Sequence, residues 1–268
     1  MYCARNPAPG GDNGIEIMAV PESAPEVIDL SGRTVIVTGA ASGIGAATVR
    51  LLHEAGANPV LADRDAAPLT SLARTLGDAL AVPSDITDSD QVRNLVDATM
   101  RRHGRIDGLV NNAGISLHHP IADVDLAEFE LAVRVNVLAP VAMMQAVLPM
   151  MRAARFGRIV NVSSGSTRMT PVGVGPYAAT KSAVNMLSAV ARREFAEDGI
   201  AVSVVLPSVT ATHFRSGHYK LGEQSAPGIV THSPGYPARA IIRSLRTGEE
   251  SIDIPHGPEQ PGAFTVPG

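Results

Sequence analysis

Thr34-Val35-Ile36-Val37 is an unbroken β-branched run, the pattern of a strand buried on both faces. It leads through Thr38-Gly39-Ala40-Ala41-Ser42-Gly43-Ile44-Gly45 into a helical pattern of Ala46, Val49, Leu51 and Leu52 that ends near Gly56. Glycines at 39, 43 and 45 let the backbone turn sharply and approach an anion, while the helix start offers free N–H groups. A second strand, Asn58 to Ala62, stops at Asp63-Arg64-Asp65. Strand, glycine turn, helix, strand and acid form the context that a dinucleotide site requires; the glycine turn alone would serve equally well as a structural corner.

The rest of the chain repeats this alternation. Pro68 to Thr75 predicts a short helix and Ala79 to Val82 a third strand ending in Pro83-Ser84-Asp85-Ile86. Thr87 and Asp90 have capping-box spacing ahead of Val92, Leu95 and Val96. Gly108 to Val110 predicts strand four, ending at Asn111-Asn112-Ala113-Gly114. Asp125 and Glu128 repeat the capping spacing before a helix from Leu126 to about Val137, and another helix is expected from Pro140 to Arg155. Arg158 to Val162 predicts strand five, Tyr177 to Asp198 a helix capped by Gly199, and Ala201 to Leu206 strand six. Ala238 to Arg246 and Ser251 to Ile254 predict a last helix and a short strand. Such alternation demands a mostly parallel sheet covered on both faces, a doubly wound α/β fold of Rossmann type, with ligands beyond the carboxyl ends of the strands. The polar clusters all fall at those ends.

The segments outside this pattern are expected to be loose. Residues 1–30 carry Pro7, Pro9, Pro21, Pro25 and Gly10-Gly11, and lack the apolar core of a signal peptide. Residues 213–236, with His213, His218 and His232, predict a mobile substrate loop, and the proline-rich 255–268 a loose tail, leaving 31–254 as the single domain. With 45% hydrophobic residues and a net charge of −4, no nucleic-acid or membrane surface is implied. The apolar run Val137 to Met151, interrupted by Pro140, Gln145 and Pro149, is expected to be too short for a bilayer. Cys3 is the single cysteine, which suits a reducing, cytoplasmic setting.

Asp63 can accept hydrogen bonds from both ribose hydroxyls and would repel a 2′-phosphate, which favours NAD over NADP. No Lys or Arg lies within 38–49, whereas Arg64 could receive such a phosphate. Asp85 is placed either to touch an adenine edge or to cap a turn. On the helix after the glycine- and serine-rich loop 163–176, Tyr177 and Lys181 share one face. A phenol beside an ammonium is an acid–base pair: at about 4 Å and an effective dielectric near 20, the attraction of roughly 4 kcal/mol would pull the phenol toward neutrality by about three pKa units, with desolvation of the phenolate offsetting part of it.

Together these pieces resemble the short-chain dehydrogenase/reductase family. The matching residues are Thr38 to Gly45, Asp63, Asp85-Ile86, Asn111-Asn112-Ala113-Gly114, Asn136, Ser164 and Tyr177-x-x-x-Lys181, in family order over roughly 31–212. The resemblance implies a nicotinamide cofactor, hydride exchange with an alcohol or ketone, and the catalytic set Asn136, Ser164, Tyr177 and Lys181. It implies cofactor contacts at Gly39, Ser42, Gly43, Ile44, Gly45, Asp63, Arg64, Asp85, Ile86, Asn112, Ala113, Gly114, Tyr177 and Lys181. Pro207, Thr210 and Thr212 are implied beside the nicotinamide; there Ser208 stands where the family usually has glycine and Thr210 where it has valine. Asn136 is expected to fix a water linked to Lys181. No metal is implied. Met169, Val172, Val174, Phe214 and Tyr219 are expected to shape a moderately hydrophobic pocket for a secondary alcohol or ketone, while His118 and His119 read as solvated loop residues. A homodimer or homotetramer, through the helices at 140–155 and 177–198, is expected. A catalytically silent scaffold on the same fold is the alternative.

Overall fold

The structure, a computed structural model, describes residues 26–169, 171–212, 214, 221 and 224–266. Seven strands form one parallel sheet: β1 (Thr34–Thr38), β2 (Asn58–Asp63), β3 (Leu80–Pro83), β4 (Gly108–Asn111), β5 (Gly157–Val162), β6 (Ile200–Leu206) and, after a separate two-stranded hairpin of β7 (Gln224–Ala226) and β8 (Ile229–Val230), β9 (Ser251–Asp253). The spatial order is β3-β2-β1-β4-β5-β6-β9, so the winding reverses between β1 and β4. At such a reversal the loops above two neighbouring strands diverge and leave a crevice.

Helices cover both faces, as central strands without polar alternation require. Helices α1 (Gly43–Glu54) and α2 (Ala66–Thr75) lie on one face with α7 (Gly235–Thr247), around Val35, Val37, Leu52, Leu61 and Ile241. Helices α3 (Ser89–His103) and α5 (Ala139–Ala154) close the other, around Ile36, Leu95, Leu109, Met143, Val147 and Met151. Helices α4 (Leu126–Val133) and α6 (Gly175–Glu194) stand beside the crevice.

Five differences from the sequence reading have physical causes. The cap of α3 is Asp88, whose carboxylate accepts from the Asp90 and Gln91 amides, and Thr87 instead donates to Asp85. A carboxylate is the stronger acceptor for helix N–H groups.

The helices expected to break before Pro140 are continuous, because a π-helical segment, Arg134–Leu138, joins α4 to α5. The Ala139 amide reaches the Arg134 carbonyl, and Pro140, which lacks an N–H, falls at the start of α5. The joined helix has 29 residues and is long and apolar enough to cross a membrane. The length argument made on Val137 to Met151 therefore does not hold. Met143, Val147 and Met151 are nonetheless fully buried in the sheet's helix layer, as in a core helix.

The helix from Tyr177 starts earlier, at Gly175, and its α-helical part ends at Glu194; a 3-10 turn, Ala196–Asp198, carries the chain to Gly199.

Within 213–236, residues 224–230 form the hairpin, Thr210 bridges His232, and α7 begins at Gly235. His213, His218 and Tyr219 lie outside the described residues.

The segment after β9, expected to be loose, is tied down. The His256 carbonyl accepts from the Val230 amide at 2.8 Å, the His232 ring meets the Gly257 carbonyl at 2.7 Å, and Phe264 packs edge-on against Tyr236. At the other end Leu30 is buried, and the Ile28 amide donates to the Arg246 carbonyl.

Candidate active site

One cavity of about 900 Å³ runs over the carboxyl ends of β1 to β6. Its first half is walled by backbone. Gly39 sits at φ +66, and a Cβ on Gly45 would lie 2.0 Å from the Gly39 carbonyl oxygen, so no side chain fits there. Ser42 occupies the cap position of α1 without a side-chain cap hydrogen bond, so the first-turn amides stay available to a ligand. Asn112 braces the turn, donating from its side chain to the Thr38 and Gly39 carbonyls. The Thr38 hydroxyl in turn accepts from the Asn112 and Ala113 amides, a contact the sequence did not suggest. Thr212 lies against the α-carbon side of Gly43, where a Cβ would meet its methyl at 3.0 Å.

Asp63 and Asp85 both line this half with Arg64, Ile86, Ala113 and Gly114. Each Asp63 oxygen accepts one backbone N–H, from Ala41 and Asp65, which leaves a lone pair on each for a diol. Asp85 accepts from both the amide and the hydroxyl of Thr87, which hold its carboxyl below the usual range; it caps this turn.

The second half is walled by side chains from distant segments: His118, Ser164, Met169, Val172, Val174, Tyr177, Lys181, Pro207, Thr210 and Phe214. Lys181 donates to the Val162 carbonyl at 2.9 Å and stands 5.9 Å from the Tyr177 ring centre. The Ser164 hydroxyl oxygen accepts from both the amide and the hydroxyl of Ser166, which leaves its own proton to be donated. Ser166 thus sets the polarity of Ser164, and sequence reading missed it.

Burial is the largest influence on Tyr177 and pushes its phenol up to about 12, while a hydrogen bond from Ser164 pulls the other way. Burial pushes Lys181 down to about 8. The simple attraction expected from the spacing therefore loses to desolvation, and Tyr177 keeps its proton at neutral pH. His118, expected to be solvated, stacks on Tyr177 at 6.1 Å, and Phe214 tilts against the same ring at 6.0 Å. His119 pairs instead with Glu128 at 3.2 Å.

Asn136 is fully buried on the π segment. Its side chain accepts from the Ile115 amide and donates to the Ile115 carbonyl and the Thr180 hydroxyl. The side-chain amide is therefore a brace between the loop after β4 and α6 rather than a group held open toward the cavity. Pro140, four residues on, has no N–H to supply the ordinary helical bond to the Asn136 carbonyl.

The short chain dehydrogenase family model matches residues 33–220, and the chain belongs to that family. An uncharacterized oxidoreductase of Staphylococcus aureus (strain MW2) is 30% identical over 223 residues, covering 81% of this chain and 96% of the relative. An uncharacterized oxidoreductase of Staphylococcus haemolyticus is 31% identical over 224 residues, covering 81% and 97%. Among solved structures, the 3-ketoacyl-(acyl-carrier-protein) reductase of Brucella melitensis, complexed with NADH, superposes with a TM-score of 0.80 at 28% identity, covering 85% of this chain and 98% of that one. The structure of gox2181 gives 0.77 at 27% identity, covering 84% and 95%. The chain is thus an oxidoreductase of the short-chain dehydrogenase/reductase family.

Proposed function

We propose that this chain transfers hydride between NAD(H) and a moderately hydrophobic secondary alcohol or ketone, with Tyr177 as the proton donor and acceptor. The observation that carries the reading is the cluster of Ser164, Tyr177 and Lys181 lining one cavity, with Tyr177 and Lys181 buried.

The first half of the cavity fits a nicotinamide dinucleotide: the close Gly39–Gly45 approach leaves room for a pyrophosphate, and Asp63 keeps acceptor capacity for two ribose hydroxyls. When bound, the nicotinamide gives or takes the hydride. Gly39, Ser42, Gly43, Ile44 and Gly45 hold the phosphates, Asp63 with Arg64 and Asp85 with Ile86 border the adenosine, and Asn112, Ala113 and Gly114 support the ribose. Pro207, Thr210 and Thr212 flank the carboxamide. The Asp63 carboxylate supports NAD rather than NADP, since a 2′-phosphate would meet like charge.

In the reducing direction Ser164 donates to the substrate oxygen and stabilises its developing charge, while Tyr177 supplies the proton. Lys181, held by Val162, keeps a positive charge near the phenolate that results. Asn136 fixes the loop after β4 and α6 relative to each other. In the oxidising direction Tyr177 must first lose its proton, so oxidation should accelerate with rising pH. Met169, Val172, Val174 and Phe214 supply the apolar wall. Exposed apolar side chains on α6, Met186 at 67% and Val190 at 45%, support self-association of this helix in a homodimer or homotetramer.

The test is NADH and NADPH oxidation with a panel of aliphatic and aryl ketones, on the wild type and Tyr177→Phe. The wild type should turn over ketones faster with NADH. Tyr177→Phe should lose at least about 10³-fold in kcat with NADH binding retained. Turnover surviving in Tyr177→Phe would sink the proton role, and a preference for NADPH would sink the Asp63 argument.

A further inference from the structure

The segment after β9 brings a histidine into the substrate half of the cavity. His256 and Ser208 line the same cavity as Ser164 and Tyr177, and the Ser208 hydroxyl lies 2.8 Å from His256 Nδ1. The imidazole rests over Gly165, the residue after Ser164: a Cβ on Gly165 would lie 3.3 Å from His256 Cε1 and 3.3 Å from the Pro207 carbonyl oxygen. The Gly165 amide donates to that carbonyl at 2.8 Å, so Ser164, Gly165 and the Pro207-Ser208 turn form one fixed unit. The histidine backbone is held on the other side by the Val230 amide.

Resting on the functional reading above, we propose that His256 and Ser208 form a specificity subsite for a second oxygen acceptor on the substrate, such as an ester or ketone oxygen near the reacting carbonyl. We take Ser208 as the donor to Nδ1, which places the ring proton of the neutral imidazole on Nε2. If the ring is protonated, Nδ1 becomes a donor and Nε2 remains one, so Nε2 offers a hydrogen in both states. Among the described residues, Nε2 bonds no protein group. Val209, Ala226 and Ile229 add apolar surface to the same cavity. The charged side chains on the flanking segments are paired, Arg168 with Asp253 at 3.3 Å and Arg239 with Glu259 at 3.5 Å. A fixed neutral donor beside paired charges selects a neutral oxygen acceptor, and a site built to hydrogen-bond a group discriminates against the analogue that lacks it.

The test pairs ethyl 3-oxobutanoate with heptan-2-one, which differ in that second oxygen-bearing group. The wild type should favour the oxo ester in kcat/KM. His256→Leu should lower the ratio between the two by about 10–30-fold, chiefly through KM, with His256→Gln restoring part of it and Ser208→Ala lowering it about 3-fold. Independently of turnover, the imidazole ¹⁵N signals of His256 should show the Nε2–H tautomer and shift on titration with the oxo ester but not with heptan-2-one. That selective shift in a protein that reduces neither compound would overturn the functional reading and leave the subsite standing. A ratio unchanged in His256→Leu, or His256 signals indifferent to the oxo ester, would overturn the subsite whether or not the enzyme turns over.

Discussion

At the nucleotide end of the cavity the wall is main chain: Gly39, Gly43 and Gly45 come from one short stretch, and Asn112 ties it to the next strand. At the substrate end the wall is side chains gathered from the loop after β4, α6, the turn after β6, the hairpin and the segment after β9. The first end tolerates almost no added volume and is local in sequence. The second has slack in volume but depends on hydrogen bonds between segments far apart. Rigid backbone suits a ligand shared by many reactions, and interchangeable side chains suit one that differs between them.

This contrast can be broken by substitution. The largest effect is expected from Gly45→Ala, whose Cβ would collide with the Gly39 carbonyl oxygen. It should cost about 1–3 kcal/mol or more in stability and remove NADH binding, read by thermal melting and NADH fluorescence. A variant that binds NADH normally would show the nucleotide end to be softer than its backbone suggests.

Asn136→Ala should come next. It removes three hydrogen bonds of a buried side chain at the substrate end and should cost about 2–4 kcal/mol. The loss of ketone turnover should then exceed the loss of NADH affinity. Equal losses would mean that the two ends are one mechanical unit.

The smallest effect concerns Lys181, held down to about 8 by burial from its ordinary 10.5. Between those values the unfolded chain binds more protons than the folded one, so this residue's contribution to stability rises with pH across the window. Its penalty is full below about pH 8. Lys181→Met should therefore raise the melting temperature of the ligand-free protein by a few degrees at pH 7, offset in part by the lost bond to Val162. The advantage should shrink toward pH 9.5. A constant difference would show that the ammonium is better solvated than its surroundings imply.

The contrast also explains what could be read from the sequence. The nucleotide end was legible because its determinants are local: a β-branched run, glycines where backbone approaches backbone, and an acid at the next strand end. Tyr177 and Lys181 were legible for the same reason, being one helical turn apart. The joined helix was not, because a proline ordinarily marks a helix start and only the π segment lets Pro140 follow Asn136 without a break. The hairpin and the order after β9 were hidden because their contacts, such as Val230 with His256 and His232 with Gly257, lie between loops of low periodicity. Desolvation was expected to offset part of the pull of Lys181 on Tyr177, but its size was not legible, because charge spacing is visible in a sequence and depth of burial is not.

The π segment also sets the rotational phase between the two ends of the joined helix. A π turn accommodates about one more residue than an ordinary helical turn while the helix on either side continues. Removing one residue between Arg134 and Leu138 would restore regular winding, but would turn everything upstream by roughly 100° relative to α5. The Asp125-capped start of α4 and the Asn136 brace would then address different neighbours. The bulge thus acts as a phase-setter, keeping the two ends of one long helix in register with two different sets of neighbours.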